Sequence, residues 1–503
     1  MNRNVCLCLA FFLLFTGCSL APRYERPEQA MPAEWRSVEP APAPLDTDWW
    51  VRFTDPALTA LIEEALKNNQ DLAESLAKID SAAAQAGIGA SALFPAVTAG
   101  IDANAQQLSE KTVDTLPFEE TGRTRSYTTY QRGISTSWAV DLWGKYRNQY
   151  TALTDVFMST VFGHEALRLA VAGQVAQGYF ALLAQNMQLD TARRTLKSRE
   201  ESFGIYTSRY KQGDITELDW QRARAEVETA RAQVHASTVG LDRTQAALAV
   251  LVGRSPREIV QDAVLRGKEL DTLPSPPVLP AGLPSELLER RPDLRAAEFM
   301  IMAYNANIGA ARAEFFPSVS LTGMFGSLSA SVGNLFLGAA SVWSYGGTAS
   351  LPLLDFGRNW YGVKDAEAQK KASVAVYRKA VQTAFQDIRI ALAAQREADA
   401  IVRSIGIQAD SLRRAVEIAT LQYDNGYTDY LTVLDAQRQL FAVEMQHATA
   451  LRDRLDAVVN VCLALGGGWQ DPRPSSEATD SSKDSSGVSH SASGAAVDER
   501  QRL

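Results

Sequence analysis

Cysteine and histidine, which often act as nucleophiles, bases or metal ligands, are few in this sequence. The 503 residues include four histidines, scattered along the chain, and four cysteines, which are Cys6, Cys8, Cys18 and Cys462. The cysteine spacing matches neither a disulfide framework nor a metal site. No nucleophile is paired with a base, no two carboxylates mark a cleft, and no glycine-rich phosphate loop is present. We therefore expect a protein that is not an enzyme and that binds no metal or cofactor.

Net charge and composition narrow the class of protein further. The net charge is −8 at pH 7 and there is no block of basic residues, which argues against a nucleic-acid partner. Apolar residues make up 46% of the chain, which is enough for several buried layers.

The N-terminus is typical of an export signal. Arg3 supplies a positive charge, and the apolar run that follows is too short to cross a bilayer as a helix. The run ends in Thr16-Gly17-Cys18, which resembles the lipobox of bacterial lipoproteins, whose cysteine receives the lipid. An ordinary signal peptide with a chance cysteine is the alternative. The resemblance implies that residues 1–17 are a lipoprotein signal peptide, that Cys18 is lipidated, and that the protein is sent to the outer membrane, because Ser19 follows instead of the aspartate that favours inner-membrane retention.

Proline-rich stretches divide the remaining chain into two halves that repeat one another. Phe94-Pro95 in the first half is answered by Phe316-Pro317 in the second. We expect a lipid-anchored arm, a first repeat, a linker, a second repeat and a disordered tail, at residues 18–55, 56–253, 254–284, 285–467 and 468–503. Each repeat is predicted to contain helices, a β-hairpin and a pair of long helices.

Each half contains one very long predicted helix that ends at a glycine. Gly144 to Gly213 and Gly357 to Gly426 are both about 69 residues apart, and an unbroken helix of that length spans about 100 Å. Apolar residues recur at every seventh position, which predicts left-handed supercoiling. They are Val175, Leu182, Leu189, Leu196, Phe203 and Tyr210 in the first helix, and Val381, Ile388, Val402, Val416 and Tyr423, interrupted at Gln395 and Ala409, in the second.

Each half also has two runs in which apolar side chains alternate with small or polar ones. The runs are Val97 to Gln106, Gly133 to Asp141, Ser318 to Phe325 and Val342 to Leu353. One apolar and one polar face over about ten residues is typical of a membrane β-barrel, with lipid outside and water inside. Four strands cannot close, and an open edge in hydrocarbon leaves backbone groups unpaired. Three copies would supply twelve strands, so we expect a homotrimer; a soluble two-sheet sandwich is the alternative.

Together these features resemble the trimeric outer-membrane factors, the TolC-like family, and within it the NodT-type efflux lipoproteins. The stretches that carry the resemblance are Trp138–Gly144, Leu283–Leu294, Ala306–Ala311, Phe315–Pro317, Tyr430–Asp435 and Ala464–Trp469. The resemblance implies an α+β membrane protein built from two internal repeats. Its fold would be a trimeric 12-stranded outer-membrane β-barrel, with four strands per chain, continued by a long periplasmic α-helical coiled-coil barrel.

The same resemblance implies a function. The protein would be the outer-membrane channel of a tripartite efflux system, a passive exit duct for small molecules. Its partners would be two further copies of itself, a periplasmic adaptor protein, an inner-membrane RND-type transporter and outer-membrane lipid. A type I protein secretion channel is the alternative within the family, and a coiled-coil scaffold of the envelope is the alternative outside it.

The family closes its periplasmic end with tyrosine and acidic side chains near the helix–helix turns. The matching positions are Asp219 after the first turn, and Tyr423, Asp429 and Asp435 around the second. Around a three-fold axis Asp219 and Asp435 could form carboxylate rings, which select cations and restrict a pore.

A simpler interpretation of the same residues is helix capping. Asp214, Thr216 and Asp429 stand where N-caps are expected, and Asp219 lies in a first turn, where the helix dipole favours a negative charge. Thr428 stands where some relatives carry a basic partner, so the resemblance does not imply the hydrogen bonds of the gate.

Overall fold

The computed structural model describes residues 19–30, 48–107, 126–261, 267–274, 287–467 and 469. The expected signal peptide at 1–17, the lipidation site Cys18 and, apart from Trp469, the expected tail at 468–503 lie outside the described residues. The sheet, both long helices and all four residues of the expected gate lie within them.

The two halves contain similar elements in the same order. The first half comprises α1 (Pro56–Asn68), α2 (Gln70–Ser91), β1 (Ala96–Gln107), β2 (Ser126–Val140), α3 (Lys145–Gln212) and α4 (Glu217–Val252). The short helix α5 (Pro256–Gln261) follows. The second half comprises α6 (Leu287–Arg290), α7 (Pro292–Ala313), β3 (Ser318–Ser329), β4 (Ser341–Ser350), α8 (Arg358–Asp424) and α9 (Tyr430–Ala464). The internal repeat predicted from the sequence is confirmed.

The same local geometry ends both long helices. α3 has 68 residues and α8 has 67. The chain then turns through a glycine in the left-handed region, Gly213 at φ 85° and Gly426 at φ 74°. After the first glycine, Asp214 donates its amide to the Arg209 carbonyl at 2.9 Å, and Tyr427 makes the equivalent bond after the second. Glycine adopts this conformation without the steric cost of a Cβ atom, so the two glycines set where the helices end.

The seven-residue stripes form buried seams between the helices. In α3, Val175 and Leu182 are fully buried in the main core. Gln395 and Ala409, which interrupt the apolar stripe of α8, are buried as well, so that seam is continuous. α3 also includes an apolar window long enough to cross a membrane by length and composition, and half of this window is buried against the rest of the chain.

The four strands form one antiparallel sheet in the order β1-β2-β3-β4. Directly opposite residues in an antiparallel pair point to the same face. The register aligns Ala99 with Ile134, Ile134 with Phe325, and Phe325 with Trp343, so one face is apolar across all four strands. On the other face small and polar side chains line up.

Two segments differ in detail from the sequence expectation. The alternation to Leu353 predicted a longer fourth strand, but β4 ends at Ser350, because Pro352 has no amide to continue the ladder. The expected linker at 254–284 includes α5, and its residues Leu270 and Leu273 are buried in the main core. This part of the linker is therefore packed and not extended.

Candidate functional site

The turns at the ends of the two long helix pairs, α3–α4 and α8–α9, lie together and form the tip of the chain. Three tyrosines join them, Tyr206 of α3, Tyr423 of α8 and Tyr430 of α9, with ring centroids 4.5, 5.5 and 5.9 Å apart. Val433 and Leu434 of α9 are buried in the same cluster. Aromatic rings at these distances attract through edge-to-face contacts as well as by burial. The two helix pairs therefore share one small core at the tip.

Burial raises the pKa values of these tyrosine hydroxyls above their ordinary value, so they stay neutral. It raises the pKa of Tyr430 to about 12, and the charge of Glu226 adds to the shift. Burial also raises the pKa of Tyr206, with smaller contributions from its tyrosine neighbours. The pKa of Tyr423 is raised by burial although Arg209 opposes the shift. Near neutral pH each ring thus offers a hydroxyl donor and carries no charge.

Asp219 lies in the first turn of α4 and is held by its own helix. Its carboxylate accepts a hydrogen bond from Thr216 Oγ1 at 2.8 Å and lies 3.6 Å from Arg222 Nη1. Thr216 is the N-cap of α4 and accepts a hydrogen bond from the Asp219 amide at 3.2 Å. The charge of Asp219 contributes to the raised pKa of Tyr423, so this carboxylate lies near the tyrosine cluster.

Asp429 is the N-cap of α9. Its carboxylate accepts hydrogen bonds from the Thr432 amide at 3.0 Å and from the Thr432 hydroxyl at 2.8 Å. These bonds lower the pKa of Asp429, and the charge of Arg222 acts in the same direction. Arg222 therefore acts on both Asp219 and Asp429. The capping geometry expected as the simpler interpretation is present at Asp429.

Asp435 lies further along α9 and makes different contacts. Its side chain is exposed and accepts a hydrogen bond from Gln439 Nε2 at 2.6 Å on the same helix. Its charge adds to that of Glu226 in raising the pKa of Arg438. The structure thus groups Asp219, Asp429 and Tyr423 around the turns and leaves the Asp435 carboxylate exposed.

The most buried polar contact near the tip is one that the sequence did not predict. Glu226 of α4 is buried and accepts hydrogen bonds from Arg199 of α3 and Arg438 of α9. Arg438 Nε lies 2.9 Å from Glu226 Oε1, and Arg199 Nη1 also reaches the Glu226 carbonyl oxygen at 3.2 Å. A signal for this contact was present, because Glu226 falls between Ala223 and Val227 on the buried stripe of α4, and a charge there needs a partner.

A second ion pair also crosses between the helix pairs. Arg209 Nη2 of α3 lies 3.3 Å from Asp424 Oδ1 of α8, and both side chains are well exposed.

Within the described ranges, no group of three or more His, Cys, Asp and Glu side chains is arranged to hold a metal ion.

Comparisons with known proteins identify the family to which this chain belongs. The profile of the family described as outer membrane efflux protein matches residues 61–254 and 283–467. Outer membrane protein OprJ of Pseudomonas aeruginosa is 34% identical over 471 residues, covering 92% of this chain and 96% of the relative. The toluene efflux pump outer membrane protein TtgF of Pseudomonas putida is 34% identical over 477 residues, with the same two coverages.

Solved structures agree with the sequence matches. The Campylobacter jejuni CmeC outer membrane channel is 26% identical with a TM-score of 0.84, covering 92% of this chain and 98% of that one. The Neisseria gonorrhoeae MtrE outer membrane channel, solved in its open state, is 29% identical with a TM-score of 0.77, covering 90% and 98%. These matches confirm the predicted trimeric barrel fold, with four strands from each chain, and the predicted outer-membrane location. The chain therefore belongs to the outer membrane efflux protein family and is an outer-membrane efflux channel.

Proposed function

We propose that this channel is the passive exit duct of a tripartite pump, in which a periplasmic adaptor protein connects it to an inner-membrane RND-type transporter. The observation that carries the proposal is the meeting of the two helix-pair tips at the end of the chain opposite the sheet, where an entrance can close. The names of the relatives, which include a toluene efflux pump component, favour small apolar cargo over the exported proteins of a type I secretion system. Such a duct acts without chemistry on its cargo, so no residue is assigned a catalytic role.

The cargo class is tested in a host that lacks its own outer-membrane channel. The chain is expressed there together with an RND-type transporter and its periplasmic adaptor protein, and toluene tolerance and dye accumulation are measured. We expect the three proteins together to restore toluene tolerance and lower dye accumulation. The adaptor and transporter without this channel should change neither. Restored secretion of a type I passenger protein without restored tolerance would favour the alternative.

The proposed gate consists of the tyrosine cluster with Asp219, Tyr423, Asp429 and Asp435. The tyrosines hold the helix pairs together without charge, which supports their role in closure. In a trimer Asp219 and Asp435 are each presented three times, and carboxylate rings draw cations into a pore and restrict it. The exposure of Asp435 and the position of Asp219 near Tyr423 support this role. Asp429 caps α9, so we expect it to affect stability more than selectivity.

The gate proposal is tested by single-channel recording of an Asp219→Ala, Asp435→Ala double variant in planar bilayers. Conductance should rise or cation preference should fall, while trimers remain intact. Asp410→Ala is a matched control, because Asp410 is an exposed carboxylate on α8, away from the tip, whose partner Arg413 lies three residues on at 2.7 Å. Unchanged conductance and selectivity in the double variant would contradict the gate, leaving Asp219 with a role at the start of α4 and Asp435 as an exposed carboxylate of α9.

The proposed lipid anchor at Cys18 fits the course of the arm that follows it. Ser19 Oγ donates a hydrogen bond to Asn148 Oδ1 at 2.8 Å, in the first turn of α3. Arg312 Nη1 donates to the Leu20 carbonyl at 3.4 Å, in the last turn of α7. Both contacts lie where a helix adjoins the sheet, so the arm begins at the periplasmic border of the membrane, within reach of a lipid inserted there.

Mass spectrometry of the mature protein tests the anchor. We expect a diacylglyceryl-modified cysteine at Cys18 as the first residue. In a Cys18→Ser variant the modification should be absent. An unmodified N-terminus at another residue would contradict the proposal.

A further inference from the structure

The four strands carry two charged side chains, and these lie on opposite faces of the sheet. Asp102 of β1 lies opposite Gln131, on the polar face that lines the pore. Arg132 of β2 lies opposite Ile101 of β1, on the face that carries Ile134. The apolar face of a membrane barrel contacts lipid. Arg132 is therefore the one charged residue that the described strands place on the lipid-facing side.

The position of Arg132 along β2 sets its depth in the membrane. β2 ends at Val140, where the chain leaves the barrel for α3 on the periplasmic side. At about 3.4 Å per residue and a tilt of about 40°, Arg132 lies roughly 20 Å above that edge, near the top of an apolar band about 25 Å tall. Its neighbours in the same row are Ile101 on β1, and Ser327 and Ser341 on β3 and β4, so on β3 and β4 the apolar face gives way to polar side chains at this level. Arg132 thus lies at the outer border of the hydrocarbon.

The guanidinium of Arg132 packs against an aromatic ring on one face, and no described residue accepts a hydrogen bond from its N–H groups. Its Cζ atom lies 4.2 Å from the ring centroid of Phe336, in the connection between β3 and β4. In the described part of the chain it forms no ion pair and donates no hydrogen bond. A cation–π contact of this kind fixes the plane of the guanidinium and leaves its N–H groups available. A planar fork with free N–H donors suits bidentate recognition of a phosphate.

We propose that Arg132 and Phe336 form a binding site for the phosphate of an anionic lipid headgroup in the outer leaflet of the outer membrane. The proposal adds a ligand to the barrel surface and is independent of the gate and of the cargo. The acyl chains of such a lipid would cover Ile134 and Phe325, one row closer to the periplasm. The phosphate would offset the cost of placing a positive charge at the border of the hydrocarbon. Each trimer would carry three equivalent sites.

Native mass spectrometry of the detergent-purified trimer, titrated with diphosphoryl lipid A, tests the site. Arg132→Gln should weaken binding about tenfold, the loss expected for one charge-assisted contact. Arg132→Lys keeps the charge but loses the fork, so its loss should be smaller. Asp102→Asn is the matched control, because it removes the other charge of the strands from the opposite face, and it should bind lipid A as wild type does.

The dependence on phosphate identifies the ligand. Lipid A without its phosphates should bind wild type as weakly as diphosphoryl lipid A binds Arg132→Gln. Inorganic phosphate should not displace the lipid, because it lacks the acyl chains. Equal binding of diphosphoryl lipid A to wild type and Arg132→Gln, or full displacement by inorganic phosphate, would overturn the proposal. If Arg132→Gln does not form trimers, Phe336→Leu replaces it, and unchanged binding in that variant would count equally against the site.

Discussion

Replacing Glu226 by glutamine removes the charge that joins the two helix pairs near the tip. The side chain of Glu226 is 5% exposed and that of Arg199 is 8% exposed. In a Glu226→Gln variant the Arg199 guanidinium stays buried without its counter-charge, and breaking a buried pair in this way costs about 3–5 kcal/mol. Arg438 is 59% exposed, so solvent screens its contact, and losing Arg438 should cost about 1 kcal/mol or less.

These exposures predict an ordered series of variants. Arg438→Ala should be mildly destabilising and Glu226→Gln strongly so. The joint replacement of Arg199 by methionine and Glu226 by leucine should recover most of the loss, because it removes both buried charges and fills the space with apolar side chains. Thermal unfolding of the purified trimer reports the overall change. Hydrogen–deuterium exchange of α4 peptides reports local opening, and a loss of about 3 kcal/mol corresponds to about a hundredfold rise in the opening constant.

Two results would refute this reasoning. One is exchange around residue 226 that stays at the wild-type rate in Glu226→Gln. The other is a joint replacement less stable than Glu226→Gln alone, since the cost would then lie in lost packing and not in the unpaired charge of Arg199.

Two further predictions concern pH and the helix ends. Burial raises the pKa of Asp456 to about 7, although Arg452 opposes the shift. A carboxyl whose pKa is raised by folding contributes to stability at low pH, and this contribution is lost as the pH rises from about 4 to about 7. Asp456→Asn should therefore stabilise the protein more at pH 8 than at pH 5 in thermal unfolding, and an equal effect at both would contradict this. Gly213→Ala places a Cβ at φ 85° and should lower the free energy of unfolding by about 1–2 kcal/mol. The control is Gly204→Ala, on the exposed side of α3 with no atom within 4 Å of the new Cβ, which should be neutral or stabilising. Equal losses of stability in the two variants would show that the left-handed conformation at Gly213 is not required.

Periodicity and glycine placement were enough to predict most of the fold. The length of each long helix follows from a glycine that takes a left-handed conformation, and the faces of the sheet follow from alternation. However, a seven-residue stripe of apolar side chains predicts contact with one neighbouring helix only, whereas a long helix can pack against several. In α3 the stripe leads to Phe203 and Tyr210, which contact Trp220 of α4 with ring centroids 5.8 and 5.4 Å apart. Tyr206 contacts the second helix pair instead, and its seam was not predicted.

The candidate site was predicted in part for the same reason. Asp219 and Tyr423 were identified because the resemblance to the family places its closing residues near the helix–helix turns, and the two glycines mark those turns in this sequence. Arg199, Glu226 and Arg438 are separated by up to 239 positions and meet only because three helices pack together. A charge on a buried stripe indicates that a partner exists, but the sequence alone does not give the helix that supplies it.

The contacts at the tip also bear on how the proposed gate would open. A switch near neutral pH needs a group that titrates there, most often histidine, and residues 199–226 and 419–438 contain none. Burial raises the pKa values of Tyr423 and Tyr430, and hydrogen bonds from Thr432 lower that of Asp429, so these groups keep one charge state across that range. We therefore expect the proposed gate to open when a force separates the helix pairs. The bond from Arg199 to Glu226 lies within the first pair and can persist, so the buried carboxylate stays paired while the exposed Arg438 releases it.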